Sequence, residues 1–566
     1  MKLLGIDAFG GADERIALQK FPIYAKSMAD FRVSETGGLE KRRSLRELYT
    51  LPGEINGIWK GVVGGLLQTV IVAGNKVYRL IDGVETVPVE VGTAVNAKCA
   101  LFKFGDNVYI KALNYYGKYD GYTASAVDGY IPTVALNCTP AGEGYTYEQV
   151  NLLTRKRKQL FSCDGAANDF KLAENGISSV DLIKLDGVEV TAGYTIDLAH
   201  GHISFTSVPG EGINNLEVVY SCGGNNRSRI LNCQNAFVFG GNSDSRVFLW
   251  GNPVFPNYRF NSELADGVAS AEYFPVNGYT VIGGGTINCI SQQYGKQMIF
   301  TDDKAYYSPC ELTTDALGKV YSSFPVYDLN GGKGSIILTE GCVIGGKPVT
   351  LCEDGINVWE QTSVENERNA VCVSKPIERS MAGVIGNLYF ETPKIFDFQA
   401  FSELFVVAGN KAYVYDYGSK KWFIYNNFAC DAYFVFGQTL LIGDGYKIKA
   451  FSEDDGSGFE DGEIEFAPFY LSDYGKADTV TFEADVETAG DEKITFYFDS
   501  QSEEKESVFE FSASEAGHRR IEFRPRARRS SPLGLTIKAE GDGYFRLDRI
   551  ALKFKERKRS ERHGIQ

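Results

Sequence analysis

The side chains able to do chemistry are few, and their spacing suits little of it. Histidine occurs four times, at His200, His202, His518 and His563. His200 and His202 flank Gly201, and alternate positions on a strand share a face, which is the beginning of a metal pair. No cysteine or third histidine stands nearby, so a solvated hairpin corner is expected there. The acidic corners Asp302-Asp303, Glu353-Asp354 and Asp454-Asp455 match no EF-hand or nonapeptide calcium spacing. They fall where hairpins need turn residues. The eleven cysteines form no C-x-x-C or C-x-x-H pattern. Several, among them Cys99, Cys233, Cys289 and Cys372, lie in or beside apolar runs, where a reduced thiol acts as a small hydrophobe. No phosphate-binding loop, nucleophile elbow or H-E-x-x-H occurs, and Gly283-Gly284-Gly285 has no helix after it to supply a phosphate-binding dipole. No catalytic residue, metal ligand or cofactor site is expected. The sharpest charged feature is basic, His518 to Arg529. It reads as a polyanion contact, as a docking strip for an acidic neighbour, or as a solvated edge strand whose charges block unwanted pairing. Docking would fall to Arg519, Arg520, Arg524, Arg526, Arg528 and Arg529.

The elements that carry these residues are hairpins, and one phrase recurs. Ile71-Val72-Ala73-Gly74-Asn75-Lys76-Val77-Tyr78 returns as Val406-Val407-Ala408-Gly409-Asn410-Lys411-Ala412-Tyr413. Looser copies begin at Leu101, Phe237, Met298, Val349 and Leu440. Each is an apolar run, a Gly/Asn/Asp corner and a return strand, and those corner residues tolerate the positive φ of tight turns. Seven such hairpins predict an all-β chain built on a β-propeller.

The domain reading follows the rhythm. An N-terminal arm (1–60) precedes propeller segments 61–136 and 225–455. Turns every 8–12 residues over 145–222 predict an inserted small β-sandwich that folds independently, with Glu148 and Gly223 close together. A linker at 454–458 leads to a C-terminal β-sandwich (463–555), with strands at Val480–Val486, Lys493–Asp499, Ser507–Phe511, Arg519–Arg524, Leu533–Ala539 and Tyr544–Phe554, and then a charged tail (556–566). The Val-Ala-Gly-Asn-Lys copies come from opposite ends, so the propeller is expected to close on itself. The net charge of −15 is split: residues 518–566 carry 15 Lys/Arg against 6 Asp/Glu, leaving the remainder strongly acidic. An acidic body argues against a protein that coats nucleic acid. Neither a signal peptide nor a run of ~20 apolar residues is read, so synthesis in a cytoplasm is expected.

The order of parts resembles the tail hub and tail nozzle (tail tubular) proteins of short-tailed bacteriophages. The resemblance rests on Asp30-Phe31-Arg32-Val33 with Gly38-Leu39-Glu40-Lys41-Arg42-Arg43, on the pair Gln297–Tyr306, on Leu471-Ser472-Asp473-Tyr474-Gly475-Lys476, and on an Arg-Pro-Arg strand. It implies a non-enzymatic structural protein of the virion tail. Such a protein forms a homo-oligomeric ring, usually a hexamer, below the portal and adaptor, contacts tail fibres or other tail proteins, and passes genomic DNA through its lumen. An acidic lumen would let phosphates slide without sticking. Two other classes stay open: a carbohydrate-binding or carbohydrate-cleaving propeller directed at a host surface, and a tail-tip adhesin of a long-tailed phage. Glu353-Asp354-Gly355-Ile356-Asn357-Val358-Trp359 resembles the Asp-box of sialidase propellers, with Asp354 and Gly355 adjacent where that motif separates them.

Overall fold

The computed structural model describes residues 2–556 apart from 20–21, 35, 225, 242–243, 315–319, 361–368, 453–457, 471–476, 501–502 and 526–531. The predicted linker and Leu471–Lys476 lie largely or wholly outside this set, as does nearly all of the charged tail. The chain is all-β, with β-propeller sheets, an inserted small sandwich and a C-terminal sandwich. It divides into two compact units, Met1–Ile58 with Gly341–Gln566, and Trp59–Glu340.

In the Trp59–Glu340 unit the repeat unit is an antiparallel four-stranded meander. One is Asn235–Gly241, Asp244–Trp250, Tyr258–Asn261 and Tyr279–Val281; the next is Cys289–Gln293, Lys296–Phe300, Lys304–Pro309 and Tyr327–Gly331. Two earlier meanders are fused into one eight-stranded sheet through a parallel pairing of Gly92 with Ala124. A Cβ at Gly92 would lie 2.1 Å from the Ala124 carbonyl oxygen, so the junction requires glycine. Among the described residues three cations are buried here, and one of them, Arg246, pairs with the carboxylates of Asp244 and Glu263. The Lys111 ammonium donates to the carbonyls of Ala112, Tyr115 and Leu231 at 2.6, 3.0 and 2.9 Å. The Arg259 guanidinium donates to Gln297, to Ser308 Oγ (3.0 Å), to Thr280 Oγ1 (3.2 Å) and to the Phe324 carbonyl (2.8 Å).

The inserted module also belongs to this unit. Its six-stranded sheet includes Lys156–Cys163, Ile177–Leu185 and Gly212–Cys222, and faces a three-stranded sheet of Asp169–Lys171, Tyr194–Asp197 and His202–Phe205. Phe161, Phe170, Ile183, Ile203, Leu216 and Tyr220 fill the space between them. The larger sheet also takes in Thr133–Cys138, a strand read from sequence as belonging to the preceding hairpins. The Cys222 amide donates to the Arg155 carbonyl (3.1 Å), so the chain meets itself there.

The other unit holds three further meanders, over residues 342–372 and 394–425, and a third whose strands are Ala432–Phe436, Thr439–Asp444, Lys447–Phe451 and Arg46–Thr50. That last strand comes from the N-terminal arm and pairs antiparallel with Lys447–Phe451. All seven phrases therefore form hairpins within meanders. In the two nearest copies Gly74 and Gly409 take φ of 55° and 60°, left-handed values that a two-residue turn needs. The copy at 71 falls in one unit and the copy at 406 in the other.

All six predicted C-terminal strands are present, in two facing sheets. Phe482, Phe496, Phe498 and Phe523 pack between them with ring centroids 4.8–5.9 Å apart. The arm is no separate appendage. Tyr24–Ala29 pairs with Gly462–Phe466 in one sheet, while Lys2–Ile6 and Leu39–Lys41 pair with Tyr544–Glu556 in the other.

Candidate functional site

The arm phrase Asp30–Arg43 builds the most elaborate polar site among the described residues. Asp30 lies at φ 58°, a left-handed conformation that aspartate tolerates better than most residues. It forms the corner at which the chain leaves the sheet containing Tyr24–Ala29 and enters the one containing Phe31–Val33. Phe31, Val33 and Leu39 are buried on the following pair of strands. The corner carboxylate accepts from Arg42 Nε at 2.5 Å and from the Asn426 amide at 3.0 Å. The Arg42 side chain is fully buried. Its remaining nitrogens donate to the carbonyls of Arg43 (2.9 Å) and Asn426 (2.5 Å), and it lies over the rings of Tyr425 and Phe428 at 5.3 and 5.8 Å. Burial pushes the Asp30 carboxyl up from its ordinary value, and Arg42 opposes that rise.

Beside it, Lys41 donates to Glu492 Oε1 (2.6 Å) and to the Gly541 carbonyl (2.7 Å), with both side chains fully enclosed. Burial raises the Glu492 carboxyl and Lys41 counters it. Arg32 bridges Glu40 (3.2 Å) and Glu403 (3.8 Å). Lys41 and Arg32 face counter-ions from distant parts of the chain, Glu492 and Glu403, while Arg42 pairs with Asp30 on the arm itself and reaches the Asn426 carbonyl, so the cluster joins the arm, a propeller meander and the C-terminal sandwich. A cleft of about 200 Å³ opens next to this clasp. Its walls include Arg32, Arg43, Phe401, Phe451, Phe459 and Tyr544, with Arg43 lying 4.9 Å from the Phe459 ring centroid.

The sequence-derived candidates lie elsewhere. Arg519, on Gly517–Phe523, packs over the Phe511 ring (5.5 Å) and donates to the Glu515 carbonyl. Arg520 is engaged with Asp485 at 2.7 Å, and Arg524 is exposed. Arg526, Arg528 and Arg529 lie outside the described residues. His200 and His202 turn to different partners, Asp197 (2.8 Å) and Asp169 (2.7 Å), and do not converge. Glu353-Asp354 and Asp302-Asp303 form hairpin turns, and Asp354 accepts from Asn357 at 2.7 Å. Burial pushes the Cys233 and Cys289 thiols up to about 12, which keeps them protonated and unreactive.

One cluster escaped the sequence reading: Glu487, His518 and Asp548 bring ligand atoms within 4.8 Å of one another. They come from three strands paired in one sheet, so only strand register assembles them. Arg546 already bridges the two carboxylates, to Glu487 at 3.0 Å and Asp548 at 2.7 Å. That cation supplies the neutralising charge a metal would bring, and the trio is a surface ion-pair network.

A further feature without a sequence signal is an aromatic knob. The helix Glu378–Gly386 buries Met381 and Val384, and the turn after it presents Tyr389 and Phe390 at 91% and 83% exposure. Their rings meet edge to face at 5.2 Å.

No protein-family model and no curated protein matches the chain. Similar solved structures include PorZ, an essential surface component of the type-IX secretion system of Porphyromonas gingivalis, at 10% identity and TM-score 0.33; the similarity covers 77% of this chain and 44% of that one. A carbohydrate-binding module in complex with β-1,4-galactotriose, TmCBM61, covers 20% of this chain and 74% of its own at 14% identity and TM-score 0.15. An exo-β-1,3-galactanase from Phanerochaete chrysosporium covers 80% and 95% at 8% identity and TM-score 0.17. The chain thus spans less than half the length of the secretion component.

Proposed function

We propose that this chain is a structural component of a bacteriophage tail, of the hub or nozzle type, which assembles into a ring and works by binding neighbours. The observation that supports this reading is the fate of the arm phrase. The residues on which the resemblance rests include the buried Phe31, Val33, Leu39 and Arg42, so the phrase belongs to the core of this chain and is no surface loop. In the proposed ring the basic strip around Arg524 docks on acidic surfaces of adjoining tail proteins, setting register and assembly rate more than final stability. DNA passes through the lumen, and the assembled protein resides in the virion. The test is electron microscopy with mass measurement on the purified chain: an open, about six-fold ring is expected, and a monomer at every concentration would overturn the reading.

A second reading, a carbohydrate-binding propeller, is favoured by Tyr145 and Tyr147 on the inserted sandwich. They stand two residues apart at 68% and 51% exposure, and exposed aromatic faces stack on sugar rings. Retention on immobilised polysaccharides that disappears in Y145A/Y147A would favour this reading over the first.

A further inference from the structure

We propose that Tyr389 and Phe390 form a plug that seats in the aromatic-lined cleft of a second copy of this chain. The proposal rests on the ring reading and names the contact that builds the ring. Both surfaces belong to the same compact unit, so every copy carries one plug and one socket. A contact between two different surfaces is heterologous, and it generates rings when its rotation closes.

The plug is convex and firmly held. Side chains exposed to 91% and 83% have almost no neighbours of their own, yet the backbone beneath them is tied on both sides. At the helix start the Ser380 amide donates to Glu14 Oε2 at 3.0 Å, and the Ser380 hydroxyl also donates to the Glu14 carboxylate. Beyond the rings Glu391 accepts from the Gly409 amide at 2.6 Å, the glycine of a recurring hairpin. From Ser380 to Phe390 the sequence carries no charge. A rigid aromatic projection loses little conformational entropy when it is buried, which is the character of an interface anchor.

The socket complements it. A cleft of about 200 Å³ has the volume of roughly six or seven liquid waters, the scale of an aromatic side chain. Phe401, Phe451, Phe459 and Tyr544 supply aromatic walls, while Arg32 and Arg43 supply cations that attract a π face. An anionic lipid surface would be repelled by a chain of net charge −15.

The experiment uses the full chain in three forms: wild type, Y389S/F390S, and S452W, which fills the socket from its lining residue Ser452. Each variant alone should lose the ring and associate about 100-fold more weakly; Y389S/F390S should keep the wild-type circular dichroism and melting temperature because its altered residues are exposed, and the fold of S452W is checked by the same two measurements. Mixed in equal amounts, the two variants retain one intact plug and one intact socket between them and should form a dimer that goes no further. A wild-type ring that persists in Y389S/F390S overturns the plug while leaving the ring reading intact. A wild-type chain that never assembles overturns both. Flotation of wild type with zwitterionic vesicles, abolished in Y389S/F390S, would make the occupant a bilayer and overturn the proposal.

Discussion

The arm clasp pairs its buried cations with carboxylates, whereas, among the described residues, two of the three buried cations of the Trp59–Glu340 unit are held by neutral oxygens. In the arm clasp, Lys41 meets Glu492 from the C-terminal sandwich and Arg42 meets Asp30 from the start of the same arm phrase. In the Trp59–Glu340 unit, Lys111 and Arg259 donate to carbonyl, amide and hydroxyl oxygens, whereas Arg246 meets Asp244 and Glu263. A paired charge specifies which distant segments must meet, because either partner alone is strongly disfavoured in the interior. A charge held by neutral oxygens retains much of its desolvation penalty, and burial pushes the Lys111 ammonium down to about 7. The clasp should therefore be fragile to single substitution, whereas the Lys111 socket should be sensitive to pH.

The largest effect is expected at the clasp. Arg42→Met leaves the Asp30 carboxylate buried without its cation and should lower unfolding free energy by about 3–5 kcal/mol. Adding Asp30→Asn should recover much of that loss, and urea midpoints of the two single variants and the double variant measure the coupling. Simple additivity would show that the pair does not act as one.

Lys111 comes next, through pH. Its folded value lies below its unfolded value, so the unfolded chain binds more protons between about pH 7 and 10.5. Wild-type stability contributed by this group should rise across that window. Lys111→Met lacks the titration, and it takes a donor from three carbonyls, of which Leu231 keeps the Asn114 amide; a buried carbonyl left unsatisfied costs about 1–3 kcal/mol. Its deficit relative to wild type should therefore widen from pH 7 to pH 10. Denaturant titrations at the two pH values decide this, and a constant gap would contradict it.

Asp397 should give a smaller effect of opposite direction. Burial pushes this carboxyl up to about 6, although the Tyr417 hydroxyl, donating at 3.2 Å, opposes the rise. A folded value above the unfolded one gives stability that is complete below about pH 4 and lost as pH rises through 6. Asp397→Asn should accordingly be more stable than wild type by about 1–2 kcal/mol at pH 7.5 and indistinguishable from it at pH 4. The smallest effect is expected for Arg520→Ser, which breaks the pair with Asp485. With the arginine side chain 62% exposed, the shift in urea midpoint should be barely measurable at low salt and should vanish in 1 M salt.

The sequence by itself determined what depends on neighbours along the chain. Gly74-Asn75 and Gly409-Asn410 announce tight turns because few other residues reach positive φ cheaply. Alternation over 8–12 residues marked both sandwiches and all six C-terminal strands. What needs strand pairing was decided only in three dimensions. An alternating segment such as Arg46–Thr50 is compatible with many partners, and nothing local says that it completes a sheet with Lys447–Phe451. The basic run Lys41-Arg42-Arg43 read as the end of an arm, since a cation's sequence neighbours do not say whether it will be solvated. Only the approach of Asp30, Asn426 and Glu492 made its burial affordable. Glu487, His518 and Asp548 are likewise gathered by register across three strands, and the exposure of Tyr389 and Phe390 follows from the packing of Met381 and Val384 on the helix before them. Turn chemistry is written within a few residues; the cost of burying a charge or leaving a ring in water is set by everything folded around it.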